Sequence, residues 1–242
     1  MISVQNLHKS FGKLKVLDGV TTNLEAGHVV ALIGPNGSGK TTFIRSILGM
    51  VKPEQGSILY KGEEILTGWK YREDIGYMPQ LAKFPERIQV KELLDMMKDI
   101  RNNNKTDQID EELIELFDLK KIYHKRTGTL SGGTKQKVSA ALTFLFNPEI
   151  LILDEPTTGL DPVSAEILKN KITKEQQKQK LVLITSHILS DIEEVASHVM
   201  YLHEGKLQFV KSIEELKSTT HETSLNKAIV KIMQQEITKE IA

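Results

Sequence analysis

The chain predicts an α/β fold: a mainly parallel sheet flanked by helices, with a small antiparallel β region at the N-terminal end and a helical insert in the middle. Three observations carry that prediction. The apolar run 29–33 ends in the glycine-rich stretch 34–41 and passes into a helical pattern over 40–50, the order of a buried strand feeding a helix. From Asn147 onward, short apolar strands alternate with helical segments, as a parallel sheet requires. Between these regions the hydrophobic period is helical over 90–101 and 109–119.

Taken in order, residues 2–7 and 16–24 mix β-branched residues with turn signals at Phe11-Gly12-Lys13 and Asp18-Gly19, and read as short antiparallel strands. Strand candidates at 57–60 and 75–78 follow the first βα unit. A polar turn from Asn102 to Thr106 separates the two central helices, and Asp110, Glu111 and Glu112 suit the start of the second, where acidic groups complement the positive helix end. Ser131 can cap a helix whose pattern is clearest over 137–146. The remaining order is strand 150–153, helix 164–177, strand 181–185, helix 189–196 and strand 199–202. Finally, Leu225, Ile229, Ile232, Met233, Ile237 and Ile241 recur at spacings of three or four, an amphipathic helix. Docking on its own chain is the expectation for that helix, with a dimer or partner contact as the alternative.

Composition narrows the function classes. The 242 residues carry 32 Lys+Arg and 32 Asp+Glu, so no net positive charge argues for a nucleic-acid partner. The lysine-rich stretch 169–180 is interspersed with Glu and Gln and reads as a solvated helix face. Cysteine is absent, which removes disulfides, thiolate metal sites and Cys nucleophiles and fits a reduced cytoplasm. The first six residues lack a basic flank followed by an apolar run, so no signal peptide is expected. No run of apolar residues is long enough to span a bilayer, and any membrane role is expected to come through a partner.

The chemistry concentrates at two strand ends. Gly34-Pro35-Asn36-Gly37-Ser38-Gly39-Lys40-Thr41 fits the phosphate-loop pattern G-x-x-x-x-G-K-[ST], between an apolar strand and a helix. Glycines let such a loop curl its backbone N–H groups onto phosphate oxygens, and the helix presents its positive end to the same anion. Lys40 adds a full charge at the β- and γ-phosphates, and the Thr41 hydroxyl can ligate Mg2+. The second strand end, Ile150-Leu151-Ile152-Leu153-Asp154-Glu155, delivers two carboxylates where ligands of open α/β sheets bind. Asp154 suits Mg2+ or its water; Glu155 suits a general base that polarises the attacking water. These motifs predict a P-loop NTPase core that hydrolyses ATP or GTP.

Leu130-Ser131-Gly132-Gly133 opens a second helix with free amides at its start, a second anion site that is redundant for one nucleotide in one subunit. The order of phosphate loop, Gln80, Leu130-Ser131-Gly132-Gly133, Asp154-Glu155, Gly159-Leu160-Asp161-Pro162 and His187 resembles the nucleotide-binding subunits of ATP-binding-cassette transporters, over about residues 1–218. The resemblance implies two cassettes sandwiching two ATP molecules, each held by the phosphate loop of one subunit and by the Ser131-Gly132-Gly133 segment of the other. It assigns Gln80 to Mg2+, the attacking water and communication with a membrane subunit, Asp161 to the dimer interface, His187 to the γ-phosphate, Thr42 to the nucleotide and Phe11 to stacking on adenine. Phe11 stands where the family commonly has tyrosine and keeps the ring face. Lys137 stands where arginine is frequent, and lysine lacks the bidentate fork, so any pairing between subunits there is expected to be weaker.

The resemblance further implies an ATP-binding domain over 1–218 with a helical subdomain at about 81–148, and a C-terminal helical tail over 219–242. It implies ATP and Mg2+ as cofactors, a transmembrane permease on a separate chain, a homodimer or paired cassette, and a position on the cytoplasmic face of the membrane. Export is the expected direction, and a soluble assembly ATPase of the iron-sulfur cluster type is the alternative. Gly76-Tyr77-Met78-Pro79-Gln80, Phe84-Pro85-Glu86 and the stretch 94–101 locally resemble the copper-processing ATPases of nitrous-oxide reductase maturation, although Met96-Met97 on a helix reads as packing.

Overall fold

The computed structural model describes residues 1–66, 68–101, 109–186 and 188–241, with side chains of the last helix described for 225–232 and 234. The expected turn at 102–106 and His187 lie outside the described residues. In chain order the elements are β1 (Ile2–Phe11), β2 (Leu14–Leu24), β3 (Val29–Ile33), α1 (Lys40–Ile47), β4 (Gln55–Tyr60), β5 (Glu63–Glu64), β6 (Ile75–Met78), α2 (Val90–Arg101), α3 (Glu112–Leu116) and α4 (Gly132–Phe144). They continue with β7 (Ile150–Asp154), α5 (Pro162–Gln177), β8 (Leu181–Thr185), α6 (Leu189–Val195), β9 (His198–His203), β10 (Lys206–Ser212), α7 (Ile213–Thr220) and α8 (Leu225–Ile241).

The strands form two sheets, an antiparallel one ordered β2-β1-β4-β5 and a six-stranded one ordered β10-β9-β3-β8-β7-β6. In the second, β9, β3, β8, β7 and β6 run parallel and only β10 is antiparallel. Side-chain alternation along its strands divides the core in two. Val29, Ala31, Ile33, Leu151, Leu153, Val182 and Ile184 face the cluster built with α2–α6 and α8. Their neighbours Val30, Leu32, Ile150, Ile152, Leu181 and Leu183 face α1 and the antiparallel sheet. Both faces are therefore covered, which is why these strands read as continuous apolar runs.

Several local expectations are corrected. The hairpin turns at Gly12, but Asp18-Gly19 lies inside β2, where Gly19 takes φ +70° beside a register shift in the ladder; glycine there marks a bulge rather than a turn. The helix expected over 40–50 stops at Ile47, because Gly49 takes φ +66° and ends it. The helix expected over 109–119 is the shorter α3, broken after Leu116 by Asp118 in the left-handed region, with a tight turn at Leu119–Ile122. Asp110 accepts the Glu112 N–H at 3.1 Å, so the acidic start was correctly placed and the helix begins after it. The helix after Ser131 begins at once, at Gly132, with the Ser131 hydroxyl accepting the Thr134 N–H.

The stretch 169–180 is solvated along the face that carries Asn170, Lys174, Gln177 and Lys178, but not along the other. Lys171 and Glu175 are buried at 1% and 0% exposure, and Lys180 is 8% exposed. Lys171 bridges Asp110 (2.5 Å), Glu112 (2.8 Å) and Glu175 (3.1 Å), while Glu175 also meets Lys178 (2.8 Å) and Lys180. Burial alone would lower the Lys171 pKa; hydrogen bonds to Asp110 and Glu112 with the charge of Glu175 more than offset it and raise it. The network fastens α5 to the segment that opens α3. The amphipathic α8 docks on its own chain: Leu225, Ala228 and Ile229 are buried in the same cluster as Ile192 and Val195 of α6.

Candidate nucleotide site

The phosphate loop leaves β3 between two close backbones. At Gly39, φ is +104° and a Cβ would stand 2.6 Å from the Val16 carbonyl oxygen, so conformation and space both demand glycine. The loop closes on itself through Ser38 N–H to Pro35 O (3.2 Å) and delivers Gly39 as the cap of α1. The Lys40 ammonium donates to the carbonyls of Gly34 (2.7 Å) and Pro35 (2.9 Å). Burial lowers its pKa, against the opposing pull of Asp154 and Glu155. Ser38 Oγ is buried with no hydrogen-bond partner among the described residues, an orphan hydroxyl inside a loop built to hold oxyanions.

That loop forms one wall of a ≈ 470 Å³ cleft, and the remaining walls gather the sequence-predicted residues. Asn36, Gly37, Ser38, Gly39, Lys40, Thr41 and Thr42 face Gln80, Asp154 and Glu155 across it, with Thr185 and Ser186 at the back. The parallel register sets Asp154 beside Thr185. Thr185 Oγ1, buried at the end of β8, donates to Asp154 Oδ1 at 2.5 Å and accepts the Glu155 N–H at 3.1 Å. Thr185 therefore ties the Asp154 carboxylate to the Glu155 backbone. Read from the sequence alone, it is only the last residue of an apolar strand; a hydroxyl ending such a strand, in register with an acid, is the available signal. Glu155 itself takes φ +49°, a left-handed conformation costing an L-residue about 1–2 kcal/mol, and Thr158 Oγ1 donates to its carboxylate at 3.3 Å. Backbone strain of this kind concentrates at functional positions.

Two predicted groups stand apart. Phe11 ends β1 with 53% of its surface exposed, under Lys9 at 5.2 Å, outside the cleft lining, to which Leu14 and Val16 just beyond the hairpin contribute. Ser131, Gly132 and Gly133 open α4 away from this cleft, where Gly133 packs so tightly that a Cβ would lie 2.5 Å from Gly159 O. Beside them, Lys137 pairs with Asp161 at 2.8 Å within one chain, where weakened pairing between subunits was expected. Asp161 also caps α5 through Ser164 N–H (2.9 Å). Its carboxyl is held far below the usual carboxylate range by the Lys137 hydrogen bond first and by Ser164 second.

The profile of the ABC transporter family matches residues 17–158. The bacitracin transport ATP-binding protein BcrA of Bacillus licheniformis is 34% identical over 97% of this chain and 79% of its own length. The lantibiotic transport ATP-binding protein SrtF of Streptococcus pyogenes is 33% identical over 88% of this chain and 92% of its own. Among solved structures, an ATP-binding subunit of an ABC transporter superposes with a TM-score of 0.89 at 27% identity, covering 96% of this chain and 99% of that one. A dimeric cassette bound to ADP and Pi shares the fold, with a TM-score of 0.77 at 22% identity over 88% of this chain and 98% of its own. A phosphate loop facing an acid pair across one cleft, in a chain matched at this length, places the protein in the ABC transporter family as one of its ATP-binding, ATP-hydrolysing subunits.

Proposed function

We propose that the chain energises an export-type transporter: two copies close around two ATP molecules, and hydrolysis resets separate membrane subunits. The observation that carries this reading is the separation of the two anion-binding ends. The cleft holds the phosphate loop and the acids, whereas the Ser131–Gly133 amides open elsewhere, free to complete the cleft of a second copy.

Within the cleft, Lys40 and the loop amides bind and neutralise the β- and γ-phosphates. Glu155 takes a proton from water as the water oxygen attacks the γ-phosphorus and the bond to the β–γ bridging oxygen breaks. Thr185 holds the Asp154 carboxylate and the backbone of Glu155 in place there. Thr41, Gln80 and Asp154 offer the hard oxygen donors that suit Mg2+, which supplies charge neutralisation on the phosphates when bound. His187 and the adenine platform at Phe11 belong to the same proposal.

For the membrane partner, a ≈ 400 Å³ groove runs between β6 and the helical insert, lined by Tyr77, Phe84, Met96, Leu142 and Phe146 with Lys83 and Arg101 among its walls. An apolar floor with cationic rims fits an amphipathic helix bearing acidic residues. We read residues 1–218 as the ATP-binding domain with its insert at about 81–148, and 219–242 as a tail. A separate permease and a peripheral position at the cytoplasmic face complete the reading; no helix among the described residues is long and apolar enough to cross a membrane. The names of two relatives, for bacitracin and lantibiotic transport, favour cargo of that class and lend copper no support.

Met96 is 41% exposed in the groove, so Met96→Arg leaves the fold intact while placing a further cation on the floor. Purified from the detergent-solubilised membranes of its own cells, the wild-type chain is expected to bring down a hydrophobic subunit. The Met96→Arg chain is expected to lose it and to keep its own ATP hydrolysis. Retention of the subunit by the variant would refute the groove as the docking site.

A further inference from the structure

The loop that leads away from Glu155 is tethered to α6, outside the lining of the cleft. Thr157 Oγ1 donates to Asp191 Oδ2 on α6 at 3.1 Å, and Asp191 Oδ1 meets Lys169 of α5 at 3.1 Å. Lys169 reaches on to Glu194 at 2.7 Å, and both of its partners lie on α6. Burial would lower the Lys169 pKa; hydrogen bonds to Glu194 and Asp191 outweigh it and raise it, so the ammonium is a firm anchor. Asp191 is three-quarters buried between these partners.

The far side of α6 carries the C-terminal helix. Ile192 and Val195 pack with Leu225, Ala228 and Ile229 of α8, and Glu193 accepts the Leu225 N–H at 3.1 Å while pairing with Lys217 of α7 at 2.5 Å. Two sides of this two-turn helix are therefore taken, by α8 and α7 on one and by α5 and the Glu155 loop on the other, while Ser190 and Glu194 stay exposed. A two-residue step separates the Asp191–Thr157 bond from Glu155, whose left-handed backbone leaves little tolerance for drift. Displacement of a reacting group by 1 Å costs on the order of 10²-fold in rate, so such a tether matters.

We propose that Asp191 is a positioning residue for hydrolysis, holding the Glu155 loop through Thr157, and that α8 acts on the reaction by seating α6. The inference rests on Glu155 being the general base. Removing the tether lowers kcat and spares ATP binding, because Asp191 and Thr157 lie outside the lining of the cleft.

The test measures steady-state ATP hydrolysis by the full-length chain. Thr157→Val and Asp191→Ala are each expected to lower kcat about tenfold with KM for ATP changed less than twofold. Thr157→Ser, which restores the hydroxyl, should recover most of the rate, and the double variant should be no slower than either single one. Glu193→Ala, which loosens α8 from α6, should lower kcat about threefold by the same route. Full kcat in Thr157→Val would overturn the tether, fully additive losses in the double variant would overturn the pairing, and an unchanged rate in Glu193→Ala would overturn the link to α8. If Glu155→Gln hydrolyses ATP normally, the fault lies with the assignment of the base instead.

Discussion

Glu155→Gln is expected to lower ATP turnover by about 10²–10⁴-fold, the usual contribution of a positioned general base, while leaving nucleotide binding in place. The substitution is nearly isosteric. Its backbone N–H still reaches Thr185, and the side-chain amide oxygen can still accept from Thr158, so the loop geometry survives. What disappears is the ability to take a proton from water. With ATP bound and uncleaved, the proposed two-subunit assembly should accumulate, visible by gel filtration as an ATP-dependent shift to twice the monomer mass that ADP does not produce. Turnover within threefold of wild type would remove Glu155 from the role of base. Loss of turnover with no ATP-dependent dimer would keep the base and remove the sandwich.

The largest expected loss of stability comes from Lys171→Met. The ammonium is 1% exposed and stands among Asp110, Glu112 and Glu175; deleting it leaves the buried Glu175 and the partly exposed Asp110 and Glu112 without its charge. Breaking a buried ion pair by removing one partner costs about 3–5 kcal/mol. For a chain of this size that corresponds to a fall in Tm on the order of 10 °C. Urea unfolding followed by far-UV circular dichroism checks it, and a midpoint equal to that of wild type would show that the network contributes nothing. Its pH dependence has a defined sign. Burial pushes the Glu175 pKa up, but hydrogen bonds from Lys178 and Lys180 and the charge of Lys171 bring it down to about 2. A depressed carboxyl contributes stability that is complete above its unfolded value of about 4.3 and is lost as pH falls through the folded one. Lys171, with a raised pKa, contributes fully below its unfolded value of about 10.4 and loses that only in stronger alkali. The wild-type network is thus flat in effect across neutral pH and fails in acid.

Sequence reading succeeded where structure is local. The strands β6 and β8 and the helices α2 and α8 fall where periodicity predicts them, because each carries its own apolar pattern and its own end signals. It failed where the decisive partner is far along the chain. That 55–64 joins the N-terminal sheet depends on pairing with β1, which nothing within 55–64 specifies. The edge strand β10 was missed because its half-exposed, lysine-bearing pattern lacks an apolar run. Lys171 and Glu175 looked solvated because their carboxylate and lysine partners include residues about sixty positions away. In the cleft, the motif residues were legible as strings, whereas Thr185, Leu14 and Val16 enter it only through strand register and hairpin position.

The left-handed backbone at Glu155 also constrains how this protein can be improved. Glycine accepts that conformation freely, so the substitution that a search for thermal stability alone would reward at this position is one that deletes the acid. Fitness for endurance and fitness for turnover pull in opposite directions at a single residue. A library screened only for heat resistance would therefore drift toward well-folded chains that bind nucleotide and no longer consume it.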